Sequence, residues 1–172
     1  MIKANLIFRD GEPFVQAGGL YYRARIGGGG IRQNKVEGDQ ATPVGTLLLR
    51  KIFYRADRVQ RPQSGAGLLI EPLSPRDGWC DDANHSDYNR QVLLPHEASC
   101  ETLWRTDHAY DICVVLGWND QPPVPGKGSA IFLHLPPTKG YTEGCIALEE
   151  AGLRELLAQG LVSITVPQPS MG

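Results

Sequence analysis

Apolar positions along this chain come in short runs separated by turn residues. Six runs, LYYRARI (20–26), GTLLLRKIFY (45–54), GLLIEPL (67–73), YDICVVLGW (110–118), SAIFLHL (129–135) and LVSITV (161–166), are strand-length and rich in β-branched or aromatic side chains. The pattern therefore predicts at least six strands. One stretch has helical spacing instead: LEEAGLRELLAQG (148–160) sets Leu153, Leu156 and Leu157 on one face, with acidic residues in its first turn and Gly160 as its stop. Two aperiodic segments lie between the runs. GGGGIRQNKVEGDQATPVG (27–45) ends in a Thr-Pro turn signal and reads as a long loop, functional or mobile. SPRDGWCDDANHSDYNRQ (74–91) is acidic and turn-rich, and its Trp79 and Tyr88 are expected to find no core to enter. The expected fold is mainly β with peripheral helices, one of them directly after Cys145, in one domain spanning residues 1–172.

Composition sharpens this only slightly. Twenty glycines and 13 prolines, about a fifth of the chain, fit many short elements joined by turns. A formal charge of −2 gives no concentrated basic face for nucleic acid or an anionic membrane. No apolar run approaches the roughly 18 residues of a spanning helix, and MIKANLIFRDGEPF breaks its apolar stretch at Arg9 and Asp10, so neither a membrane segment nor an export signal is expected.

The glycine run 27–30 lacks the Lys-Ser/Thr of a phosphate-cradling loop and opens no amphipathic helix. WCDDANHSD offers Cys80, Asp81, Asp82, His85 and Asp87, but their spacing matches neither a zinc nor a calcium pattern, and no metal is expected. The four cysteines include no CxxC pair; Cys113, between Ile112 and Val114, reads as core. Cys145 is different. It follows Gly144 at a strand-to-helix junction, where backbone amides of Gly144 and Cys145 could hold an oxyanion, and His134 stands 11 positions earlier at the end of an apolar run. A turn between them brings imidazole and thiol together, the arrangement of a Cys–His nucleophilic site.

FLH followed by TEGCIAL resembles the H…[S/T]-x-G-C-[I/V] signature of the L,D-transpeptidase (YkuD-like) catalytic domain. KVEGDQATPVGTLLL is similar to the Thr-Pro-x-Gly segment of that family, and GWCDDANHSDYNR, LWRTDHAYDICVVLGWN and PGKGSAIFLH are similar to a bacterial subgroup, so the resemblance runs over about residues 20–166. It implies a β-sandwich-like enzyme of the bacterial cell envelope acting on peptidoglycan stem peptides, without cofactor. Cys145 would be the nucleophile, His134 the base oriented by the Leu135 carbonyl, and Gly144 and Cys145 the oxyanion donors. The thiol would attack the third, diamino-acid residue of a tetrapeptide stem and expel D-alanine. An amine acceptor then gives a 3→3 cross-link, water gives carboxypeptidase activity, and carbapenems are implied inhibitors. Thr142, Glu143, Arg32, Tyr88 and Trp79 are the expected substrate contacts, with Lys35, Glu37, Asp39 and Asn89 as further candidates to line a cleft for a zwitterionic peptide.

Three departures accompany the resemblance. Glu143 stands where the family commonly has His, Ala147 where it has a basic residue, and the His-to-Cys interval is short. A carboxylate beside a thiolate opposes its formation, and the lost basic residue removes a clamp for substrate carboxylate. Two rivals stand beside this reading: a peptide hydrolase on the same scaffold, distinguished by acceptor dependence alone, and a catalytically silent peptidoglycan-binding module, suggested by Glu143 and Ala147.

Overall fold

The computed structural model describes residues 1–169 of the protein. It opens with a hairpin of β1 (Ile2–Arg9) and β2 (Glu12–Ala17), followed by β3 (Leu20–Arg25). Asp10 and Gly11 join β1 to β2 with φ of 53° and 77°. That is the geometry of a tight hairpin turn, for which Asp-Gly is a preferred pair. Within the loop 27–45, β4 (Ile31–Arg32) and β5 (Thr42–Pro43) form a minimal parallel pair. β6 (Gly45–Tyr54) is the longest strand, and β7 (Ile70–Pro72) pairs with its second half. A separate three-stranded sheet consists of β8 (Asp77–Cys80), β9 (Gln91–Leu93) and β10 (Cys100–Thr102), with β8 in the middle. The chain then returns through β11 (Ile112–Leu116), β12 (Phe132–His134), β13 (Ile146–Leu148), α1 (Glu150–Ala158) and β14 (Leu161–Val166).

The main sheet runs β11-β12-β13-β3-β2-β1-β14-β6-β7, and β11 also pairs with β6. It therefore closes on itself as two layers that share β3 and β6. The first half of β6 pairs with β14, from Gly45 to Leu48, and the second half with β11, from Leu49 to Tyr54, with a register shift at Val115/Leu116. One long strand thus serves both layers. The interior is apolar: Leu6, Val15, Leu47, Ile52, Val114, Leu133, Ile146 and Ile164 form one cluster with α1. Helix α1 contributes Leu153, Leu156 and Leu157, all fully buried, and Gly160 follows it with φ of 98°, as its spacing predicts. Among the described residues α1 is the one α-helix, and its leucines belong to the core rather than the periphery.

A second cluster, between the main sheet and the β8–β10 sheet, contains Phe53, Trp79, Leu103, Tyr110, Cys113, Phe132 and Cys145. It corrects the expectation for Trp79 and Tyr88, which are 8% and 3% exposed. Trp79 packs its edge against Phe132, ring centroids 5.1 Å apart, and donates its indole N–H to Asn89 Oδ1 at 2.8 Å. The segment 74–91 looks coreless because its core is supplied by β12, more than 40 residues later. No described helix is long and apolar enough to cross a membrane.

Candidate active site

Register places the candidate nucleophile and base on one face. β12 and β13 are parallel neighbours, with Leu133 opposite Ile146 and His134 opposite Ala147. The same step back sets Phe132 beside Cys145, so Cys145 and His134 are diagonal neighbours on the side facing the second cluster. Tyr110 closes that side with edge contacts to Phe132 at 5.7 Å and to His134 at 5.1 Å between centroids.

Both groups are buried, and both are neutral near pH 7. Burial lowers the His134 imidazole to about 4; its bond to Leu135 opposes the shift without overcoming it. His134 Nδ1 donates to the Leu135 carbonyl at 2.6 Å, which leaves Nε2 with the lone pair. Burial likewise raises the Cys145 thiol to about 12, with the Glu101 carboxylate adding to the rise and Glu143 contributing further, against the Phe132 amide and Lys35. The thiol donates to the Ala130 carbonyl and accepts from the Phe132 N–H, each at 3.3 Å. Ala130 itself sits at φ 54° and is held by Asn89, whose Oδ1 accepts the Ala130 N–H at 3.0 Å while its amide group donates to the carbonyls of Trp118 and Asn119. Asn89 therefore fixes the carbonyl that receives the thiol.

The turn before Cys145 is tied together by Thr142. Its hydroxyl donates to the Cys145 carbonyl at 2.6 Å and accepts the Gly144 N–H at 3.1 Å. Of the two amides expected to hold an oxyanion, that of Gly144 is thus already engaged, and Thr142 spends its hydroxyl inside the turn. The glycine run earns its place here too. A Cβ on Gly27 would fall 2.1 Å from the Gln40 carbonyl oxygen and 3.0 Å from Gly144 Cα. Loop 27–45 and the cysteine turn can touch only because side chains are absent.

Cys145 and His134 lie in a cleft of about 300 Å³ whose walls carry Lys35, Glu37, Asp81, Glu101, Arg105, Asp107, Tyr110, Lys139, Thr142 and the exposed Glu143. Arg32, Tyr88 and Trp79 do not line it. Arg32 is half exposed beside Asp39 at 3.7 Å, and Tyr88 donates its hydroxyl to Glu37 at 2.7 Å while accepting the Gly128 N–H. Those three were expected as substrate contacts; their side chains are spent on pinning loops or lie outside. The Asp39 side chain is buried, and its carboxylate accepts from Lys35 Nζ at 2.8 Å. Burial alone would raise its carboxyl, but Lys35 and the amides of Val36 and Ala41 hold it below the ordinary value.

Sequence reasoning missed Glu101, Arg105, Asp107 and Tyr110. Arg105 reaches Asp107 with two bonds of 2.8 and 2.6 Å and lies 4.9 Å from the Tyr110 ring centroid. Tyr110 donates to Glu101, whose carboxyl burial raises to about 7 even though Tyr110 and Arg105 pull it down. For Arg105, Asp107 and Tyr110 the signal is WRTDHAYD, charged residues closely followed by an aromatic that precedes a buried strand; Glu101 lies outside it. Away from the cleft, Cys80, His96 and Cys100 have ligand atoms within 4.8 Å of one another, as do His85, Asp87 and His96.

The family model for the YkuD L,D-transpeptidase catalytic domain matches residues 6–166. No curated protein matches the chain. Among solved structures it is similar to Mycobacterium tuberculosis L,D-transpeptidase 1, at 11% identity and a TM-score of 0.43 over 97% of this chain and 62% of that one. It is also similar to LD transpeptidase LdtMt1 in complex with imipenem, at 14% identity and a TM-score of 0.41 over 96% of this chain and 58% of that one. The chain thus spans about three-fifths of the length of these two structures.

Proposed function

Because the chain belongs to the L,D-transpeptidase catalytic domain family, we propose that it is a cysteine acyltransferase acting on peptidoglycan tetrapeptide stems in the bacterial cell envelope. The observation that carries this reading is the placement of Cys145 and His134 as diagonal neighbours at the floor of one charged cleft.

Cys145 Sγ attacks the carbonyl carbon of the diamino-acid residue as its proton passes to His134 Nε2. The neutral starting pair makes His134 a general base that works as the S–C bond forms, since a free thiolate–imidazolium pair is disfavoured by burial. The Cys145 amide takes the oxyanion, joined by that of Gly144 if Thr142 Oγ1 releases it. Collapse breaks the C–N bond to D-alanine, which leaves as an amine after taking the proton back from His134. The thioester is then attacked by an acceptor amine, whose proton His134 removes, and Cys145 leaves as thiol. A stem amine yields a 3→3 cross-link.

The cleft supplies both signs of charge for such a ligand. Arg105 and Lys139 offer cations for substrate carboxylates in place of the basic residue missing at Ala147. Asp81 and Glu143 offer anions for amines, and Asp81 Oδ1 has no hydrogen-bond partner among the described residues. The buried thiol, bonded to Ala130 rather than to the imidazole, favours one competing reading, a binding module without chemistry. Incubation with a tetrapeptide muropeptide separates the readings. D-alanine release by the wild type and not by Cys145→Ala supports the enzyme. Release that needs a second stem marks transfer, release without one marks hydrolysis, and binding with no release at all contradicts the proposal.

A further inference from the structure

Four of the cysteines and histidines left unused by the cleft, Cys80, Cys100, His85 and His96, gather at one place. β8 and β10 are antiparallel with Cys80 directly opposite Cys100. Asp81 N–H bonds Ser99 O, so the Cys80–Cys100 position is a non-hydrogen-bonded pair, where side chains stand closest. The alternation that turns Trp79 and Glu101 toward the second core turns Cys80 and Cys100 to the other face. There the thiols meet His96, and the three ligand atoms lie within 4.8 Å of one another. His96 Nδ1 accepts the Ala98 N–H at 3.0 Å, which leaves its proton on Nε2, 2.9 Å from Asp87 Oδ2. His85 stacks edge-on against His96 at 4.8 Å and is oriented by the Asp87 N–H at 2.9 Å and Glu97 at 2.7 Å.

We propose that Cys80, Cys100, His96 and Asp87 form a binding site for one thiophilic divalent cation, zinc by chemistry, that clamps β8 and β10 to the two connections flanking β9. Two thiolates and an imidazole select zinc over calcium or magnesium. Binding exchanges the two thiol protons for metal: both leave to solvent, the His96 proton shifts from Nε2 to Nδ1, which gives up the Ala98 N–H bond, and the neutral imidazole turns its Nε2 lone pair to an ion that enters between Nε2 and Oδ2. A tetrahedral zinc separates N and O ligands by about 3.3 Å and two sulfurs by about 3.8 Å, so Cys80, Cys100 and His96, within 4.8 Å of one another, need adjustments of about 1 Å, while Asp87, grouped with His96 and not with both thiols, must move further to complete the set. The surroundings favour a cation. The carboxylates of Asp81 and Asp87 act on Cys100 from close by, an anionic setting that a bound cation would neutralise. Asp87 is 45% exposed at its side chain, which gives the ion a route from solvent. The site is independent of the peptidoglycan reading and reaches the cleft only through the opposite face of the same strands.

The test is titration of the reduced, metal-stripped full chain with Co²⁺, followed by displacement with Zn²⁺. One equivalent per chain is expected, with thiolate-to-cobalt charge transfer and tetrahedral d–d absorption, zinc displacing cobalt, and zinc raising the Tm. Cys80→Ser and Cys100→Ser should each abolish the charge-transfer band or weaken binding about 100-fold or more, and His96→Gln and Asp87→Asn should weaken it about 10-fold or more. Cys145→Ala should bind as the wild type does. If the cysteine variants fail to fold, His96→Gln, with folding verified by circular dichroism, carries the test alone. The proposal is overturned by no stoichiometric cobalt spectrum, by cobalt affinity and charge-transfer intensity unchanged in folded Cys80, Cys100 or His96 variants, or by a spectrum that vanishes in Cys145→Ala.

Discussion

His134 and Glu101 hold opposite pH dependences in the same wall. The folded imidazole is lowered from 6.5 to about 4, so between those values the unfolded chain binds a proton that the folded chain refuses, and His134 costs stability as pH falls. The Glu101 carboxyl is raised from 4.5 to about 7, so its contribution is present in acid and lost as pH rises across that window. Each effect is worth about 3 kcal/mol and they nearly cancel. Relative to the wild type, His134→Gln should therefore gain stability at pH 4.5 and Glu101→Gln at pH 7, as measured by urea unfolding at the two values. Equal shifts at both pH values in either variant would contradict these protonation states. Glu101 also raises the Cys145 thiol, so Glu101→Gln should move the pH profile of Cys145 alkylation downward, whereas His134→Gln should lower D-alanine release about 100-fold or more with substrate binding retained.

Elements were legible wherever periodicity was strong and local. The strands near 45–54, 110–118 and 161–166 and the helix with Leu153, Leu156 and Leu157 lie where their patterns put them. The hairpin β1–β2 was missed although Asp10-Gly11 between alternating runs announces it; Arg9 and Asp10 looked like interruptions because a turn and a broken apolar stretch share the same residues. The cysteine and histidine were readable from their junctions and motif, but the charged walls were not, because Glu101 reaches the cleft from β10 and Arg105 and Tyr110 from the β10–β11 connection, segments distant in sequence from Cys145. Asn89 shows what such pairing requires. Its side chain serves Trp79, Ala130, Trp118 and Asn119, so Asn89→Ala should cost about 2–4 kcal/mol in urea unfolding and slow Cys145 acylation, while Asn89→Asp should leave Trp118 and Asn119 unpaired and fall between. At the cysteine turn, Gly144 has φ of 129° and a Cβ there would lie 2.9 Å from the Ala41 carbonyl oxygen, so Gly144→Ala should cost about 1–3 kcal/mol and depress turnover more than binding.

At the scale of the molecule, the closed main sheet with α1 forms one core, and the β8–β10 sheet completes a second around Phe132. The candidate site lies where they meet: Cys145 is counted in the second core, while its neighbour Ile146 belongs to the first. Such a position explains why both reactive groups are dehydrated yet border a cleft. It also makes the two cores separable by mutation. Leu153→Ala in α1 should cost about 2–5 kcal/mol by thermal unfolding and leave acylation at 25 °C nearly unchanged, because that leucine fills the core remote from the cleft wall. The central claim is that Cys145 is the nucleophile with His134 as its base. It is tested most directly by intact-protein mass spectrometry with peptide mapping after exposure to a tetrapeptide muropeptide and, separately, to a carbapenem. An adduct on the peptide containing Cys145, absent in Cys145→Ala and slowed in His134→Gln, is the predicted result. An adduct on Cys80, Cys100 or Cys113, or none with either compound, would contradict it.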